Sequence, residues 1–116
     1  MTSTSLTMYC GDTVSLEITW LDADGNPVNL TGASLVWALG RTPAGPLLVE
    51  KTVGQGIVIT GASTGEFRID IEPADTTNLK PGTYYHVCRA KEADGTVSTV
   101  LDGHIQIQQS LVAAPA

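Results

Sequence analysis

The chain has 116 residues, of which 42% are apolar, and its 12 acidic and 6 basic side chains leave a net charge of −6. A domain of this size buries about two-thirds of its unfolded surface, so it can hold a core without metal or disulfide staples, and the composition is globular rather than disordered. Its cations, Arg41, Lys51, Arg68, Lys80, Arg89 and Lys91, never adjoin one another. That excludes the clustered positive charge needed by a nucleic-acid backbone or an anionic membrane surface, so neither is expected as a partner.

Strand signals run along the chain. Residues 5–10 open it. Residues 13–21 read TVSLEITWL, with Val14, Leu16, Ile18 and Trp20 on one face and Ser15, Glu17 and Thr19 on the other. Such period-2 alternation with β-branched enrichment predicts a half-buried strand. Ala23-Asp24-Gly25-Asn26-Pro27 makes a turn, and residues 34–39 then set Leu35, Trp37 and Leu39 on one side. After the loop Pro43-Ala44-Gly45-Pro46, strands are expected over 47–52 and 57–60. Residues 65–72 alternate again, with Phe67, Ile69 and Ile71 inward. Residues 73–79 suit one helical turn capped by Asp75 or Thr76. Lys80-Pro81-Gly82 leads into a strand at 83–91, and Asp94-Gly95 turns it back into 96–108, since glycine tolerates positive φ. Gly103 interrupts the last alternation and predicts a bulge or bend there. About seven or eight short strands point to an all-β fold, an immunoglobulin-like two-sheet antiparallel β-sandwich. It forms a single domain over residues 1–110, and the Ala/Pro-rich residues 111–116 form a fraying tail.

Little in these strands suggests chemistry. Cys10 and Cys88 either bridge two sheets or stay as reduced thiols acting as small hydrophobes, and cytosolic synthesis favours the second. Their separation lacks the paired spacing of a zinc site. His86 and Cys88 share a strand face, but such neighbours lie ~6–7 Å apart, beyond the reach of a nucleophile–base pair. His104 reads as an exposed strand residue. Gly61-Ala62-Ser63-Thr64-Gly65 lacks the context of a nucleophile elbow and reads as a loop. Gly54-Gln55-Gly56 precedes neither a helix nor a suitably spaced lysine, as a phosphate cradle would require. Asp22-Ala23-Asp24-Gly25-Asn26 is similar to the first half of a calcium loop, but no distal glutamate completes it, and turn chemistry accounts for these residues. Trp20 and Trp37 are assigned to the core. Tyr84 or Tyr85 suits a tyrosine corner, its hydroxyl bonding backbone near residues 75–79. No catalytic, cofactor-binding or metal site is therefore expected, and no cofactor.

Five segments stand in a telling order: Leu6-Thr-Met-Tyr-Cys-Gly-Asp-Thr13, Asp22-Ala-Asp-Gly-Asn-Pro-Val-Asn-Leu-Thr-Gly-Ala33, residues 73–79, Pro81-Gly-Thr-Tyr-Tyr85 and Glu92-Ala-Asp-Gly-Thr-Val97. Together they resemble the immunoglobulin-like domain at the N-terminus of phage baseplate upper proteins, and its small stand-alone relatives in tailed-phage and prophage genomes. The resemblance spans residues 6–107. The family has no catalytic residues to carry over. Two departures bear on its role. Cys10 stands where relatives often have a basic or polar residue, and the sequence stops just after the domain, where baseplate upper proteins continue.

The resemblance implies a non-enzymatic virion structural protein. The second departure favours an accessory or decoration protein of capsid or tail over a baseplate component. Such a protein would assemble in the host cytoplasm and dock on other virion proteins, with copies of itself as a further partner. The opening Met1-Thr-Ser-Thr-Ser has no basic segment followed by an apolar one, so no secretory leader is expected. The alternative is an immunoglobulin-like carbohydrate- or receptor-binding module. That would need an exposed aromatic patch, whereas both tryptophans are expected to face inward. A hydrolase would need a convergent acid, base or metal cluster.

Overall fold

In the computed structural model, residues 2–3 (backbone) and 5–112 are described. Its extended elements are all strands: β1 (Thr2–Ser3), β2 (Leu6–Tyr9), β3 (Val14–Thr19), β4 (Ser34–Gly40), β5 (Leu47–Val53), β6 (Gly56–Gly61), β7 (Glu66–Ile71), β8 (Gly82–Lys91) and β9 (Val97–Gln108). A 3-10 turn (Ala62–Thr64) joins β6 to β7, and one α-turn, α1 (Pro73–Thr76), follows β7. The all-β expectation holds. Residues 113–116 of the expected fraying tail lie outside the described residues; Leu111 and Val112 are exposed.

The strands follow one hydrogen-bonded path, β1-β9-β8-β4-β5-β6-β7-β3, with β2 also on β9. β1 and β2 run parallel to β9, and the other long pairings are antiparallel. The path curls until β2, alongside β1 on β9, is joined to the other end, β3, by a few residues, nearly closing as a barrel. Its narrowest link is β5 to β6, where only Thr52↔Gly56 and Val53↔Ile57 pair, in parallel.

Alternation decides which side of each strand is buried. The register Leu16↔Ile69 and Ile18↔Phe67 stacks the apolar faces of β3 and β7. The β7 residues are fully buried, whereas Leu16 and Ile18 are half-buried on the last strand of the path. Across β4 and β8, Leu35, Trp37 and Leu39 lie opposite Ala90, Cys88 and His86, and all six are buried. Both arms of the path contribute to one core cluster. Each large aliphatic or aromatic side chain so buried is worth about 1.5–3 kcal/mol before entropy is counted.

Two local expectations are corrected. The bulge in β9 is not at Gly103, which pairs regularly with His86; the register shifts between Cys88 and Arg89, leaving Val100 as the extra residue. The slip lets Val100 and Leu101, consecutive in sequence, both point into the core, at 1% and 0% exposure. The cap of α1 is Glu72, not Asp75 or Thr76. Pro73 has no N–H to lose and takes the first helical position, which moves the cap back by one. Asp75 then reaches back and accepts the Glu72 amide at 2.7 Å. Asp75 also receives Lys51 from β5 at 2.7 Å, tying α1 to the strand beside the narrow link.

Candidate functional site

The sequence candidates for chemistry resolve into structure. His86 and Cys88 do share the inward face of β8, and both are fully buried. The Trp37 indole N–H donates to Nδ1 of His86 at 3.0 Å. Cys88 is a free thiol, and burial pushes its pKa up to about 12, so it is a poor nucleophile. Cys10 is also free, half-buried, with its Sγ 3.5 Å from the Leu79 carbonyl oxygen. Of the two alternatives for the cysteines, the reduced one is seen. His104 is exposed on β9, edge-on to Tyr85 with ring centroids 5.9 Å apart.

The glycine-flanked serine sits in the 3-10 turn between β6 and β7. Gly54-Gln55-Gly56 forms the tight turn between β5 and β6, where Gln55 N–H donates to Thr52 at 2.8 Å and Gly54 N–H to Ile57 at 3.0 Å. In the calcium-like segment, Oδ1 of Asp22 accepts the amides of Asp24 and Asn26, each at 2.9 Å. That carboxylate organises its own turn. Among the described residues no group of three or more His, Cys, Asp or Glu is placed to hold a metal. Trp20 and Trp37 are core residues, as expected. Of the two tyrosines, Tyr84 makes the corner: its buried hydroxyl donates to the Lys80 carbonyl, one residue beyond the expected stretch.

What the sequence reading missed is a surface. β5, β4, β8 and β9 present an outward face whose cross-strand rows follow from the register. Glu50, Ala38, Val87 and Asp102 form one row, and Thr52, Val36, Arg89 and Thr99 the next. An open groove crosses this face, its floor formed by Val36, Ala38 and Val87, with Leu47 and Val97 at its ends and Glu50, Arg89 and Lys91 on its rim. Val36, Leu47 and Val97 are exposed at 38%, 57% and 53%. The signal lies in SLVWALG, where apolar residues occupy both faces of β4, with Leu35, Trp37 and Leu39 inward and Val36 and Ala38 outward. Tyr85 lies beyond the groove, its hydroxyl 3.5 Å from Asp102 Oδ2. Partial desolvation, then the Asp102 carboxylate, raises the Tyr85 phenol above its usual 10.

The opposite outer face, on β3 and β7, is polar. Arg68 Nε contacts Asp70 at 2.8 Å, and Ser15 donates to the same carboxylate at 3.0 Å. The Arg68 hydrogen bond leads in holding the Asp70 carboxyl below its ordinary range.

No protein-family model matches the chain, and no curated protein does. Among solved structures, CopC from Methylosinus trichosporium OB3b is 17% identical, covering 84% of this chain and 80% of its own, with a TM-score of 0.45. A family 123 glycoside hydrolase from Clostridium perfringens is 13% identical over 95% of this chain and 23% of its own, also with a TM-score of 0.45. Likeness at that level carries nothing of either protein's chemistry to this chain. Among the described residues no helix is long and apolar enough to cross a membrane.

Proposed function

We propose that this chain is a non-enzymatic virion structural protein of a tailed phage, an accessory or decoration protein that works through protein–protein contact. The observation that carries the contact role is the apolar groove on the open outer face of β5-β4-β8-β9. A small-molecule site is concave and encloses its ligand; this groove lies open on a sheet, with charge only at its rim, as a protein-contact patch does. The phage assignment rests on the order of turn and strand segments that resembles the baseplate upper protein domain.

The same reading takes the fold as an immunoglobulin-like sandwich. Its layers are β5-β4-β8-β9-β2 and β6-β7-β3, hinged at the two-residue link between β5 and β6. The parallel addition of β2 to β9 and the Tyr84 corner support it.

The test is the copy number of this chain in purified particles, measured by mass spectrometry against the major capsid protein. Hundreds of copies fit a lattice decoration, and a few dozen fit a neck, tail or baseplate position. Absence from particles overturns the reading. The carbohydrate-binding alternative has one observation in its favour, the Tyr85–His104 ring pair on the outer face. Glycan-array binding that is lost in Tyr85→Ala would select it.

A further inference from the structure

We infer that the partner seated on the outer face of β5-β4-β8-β9 is a second copy of this chain, related by a two-fold axis that lies in the interface above β4. The inference rests on the proposal that this face is a protein-contact surface, and it names the occupant.

The groove carries its own complement. Glu50 stands on one rim, on β5, and Arg89 on the other, on β8, with β4 between them. In the register Glu50 is level with Ala38, and Arg89 is level with Val36. The midpoint of Glu50 and Arg89 therefore falls on β4 between Ala38 and Val36. A two-fold axis lying in the interface above that point, perpendicular to the Glu50–Arg89 line, sets Glu50 of each copy over Arg89 of the other and packs Val36 and Ala38 against their equivalents. Such self-complementarity is the requirement of an isologous interface, in which each contact occurs twice.

The charge balance favours the same partner. Lys51 is paired with Asp75 and Arg68 with Asp70, and Arg41 lies 5.1 Å from the centre of the Tyr84 ring. Arg89 and Lys91 line the groove beside one acid, Glu50, on a chain of net charge −6. Neither Arg89 nor Lys91 makes an ion pair among the described residues, and across the axis Arg89 gains Glu50 of the second copy.

The size of the face sets the strength. Four strands about 4.8 Å apart, with four outward positions at roughly 6.8 Å intervals, cover about 500 Å². A specific interface buries ~600–1,000 Å² per partner, so this face lies just below the lower end of that range. The expected dimer is weak, with a Kd on the order of 1–100 µM.

The experiment is analytical ultracentrifugation of the full chain from about 1 µM to 1 mM, a range spanning the expected Kd. Wild type is expected to pass from monomer to dimer. Glu50→Arg alone and Arg89→Glu alone each place like charges across the axis and should weaken association at least about tenfold. An equimolar mixture of the two variants should recover a heterodimer, because each then supplies the charge the other lacks. Wild type that stays monomeric throughout, or a mixture that does not associate, overturns the inference. A wild-type dilution series followed by amide NMR needs no variant. Its shifts must centre on Val36, Ala38 and Val87, and shifts confined to β3 and β7 would overturn the two-fold arrangement. A monomeric chain found at high copy number in particles would remove the self-pairing alone; a dimer absent from particles would remove the virion reading alone.

Discussion

The indole N–H of Trp37 on β4 donates to Nδ1 of His86 on β8 at 3.0 Å, and both side chains are completely buried. For Nδ1 to accept, the imidazole must carry its proton on Nε2. The histidine beside Cys88 is thus a core acceptor that fixes the orientation of the largest fully buried side chain. Its position next to a thiol is incidental to chemistry, since that thiol is held protonated.

His86→Leu removes the acceptor and leaves the Trp37 N–H buried without it. The expected loss is about 2–4 kcal/mol, combining an unsatisfied donor with imperfect packing. Trp37→Ala empties the larger volume and should cost ~3–5 kcal/mol. In Trp37→Phe/His86→Leu the donor is gone too, so the double variant should lose less than the sum of its single changes. Urea unfolding of wild type, Trp37→Phe, His86→Leu and the double variant measures this coupling; strict additivity would mean the hydrogen bond contributes nothing.

Cys88 makes stability depend on alkaline pH. Burial pushes its thiol from an ordinary 9.0 to about 12. Between those values the unfolded chain has lost the proton and the native one still binds it. Fewer protons bound in the unfolded state means that stability falls as pH rises. The loss approaches ~1.4 kcal/mol per pH unit within the window, toward roughly 4 kcal/mol by its upper end. Tyr85, whose phenol is also raised, adds in the same direction at higher pH. Cys88→Ala should flatten the decline that begins near pH 9, as read by denaturant midpoints across pH. In native protein a thiol reagent should leave Cys88 unmodified until the chain unfolds.

The strands that hold this core were legible because their period is local. Val14 to Trp20 and Phe67 to Ile71 alternate without interruption, and Asp94-Gly95 marks its own hairpin. Features set by a partner strand were not legible. The bulge at Val100 exists because β9 must meet both β8 and the core, whereas Gly103 only resembled a break. The sequence also shows no sign of the β5–β6 link, which rests on two residue pairs. The outer groove gave a signal in the doubly apolar β4, but its charged rim appears only when β5 and β8 are set on either side.

Tyr84 tests the corner. Its ring is 1% exposed, and its hydroxyl closes the loop that carries Lys80-Pro81-Gly82 into β8. Tyr84→Phe keeps the packing and the Arg41 contact but removes one buried hydrogen bond. A loss of about 1–2 kcal/mol is expected, with little change in the denaturant slope. A loss below about 0.5 kcal/mol would mean that water replaces the hydroxyl at the Lys80 carbonyl.

Two glycines with similar backbone angles should respond very differently to alanine. Gly65 has φ +71° and Gly25 φ +83°, so each pays the left-handed penalty of a Cβ, about 1 kcal/mol. Around Gly25 nothing lies within 4 Å of the added carbon. At Gly65 the carbon would sit 2.5 Å from the Trp20 carbonyl oxygen and 3.2 Å from the Val28 nitrogen. Those atoms belong to a backbone relay in which Trp20 N–H donates to Gly65 at 2.8 Å and Val28 N–H donates to Trp20 at 3.0 Å. Alanine there must push apart the end of β3 and the start of β7, and with them the buried Trp20. Gly65→Ala should therefore cost at least about 2 kcal/mol more than Gly25→Ala, lowering the melting temperature by roughly 8–15 °C relative to it. Trp20 fluorescence should shift to the red in the first variant only. Equal losses at the two sites would show that the turn at Gly65 relaxes without disturbing the strands it joins.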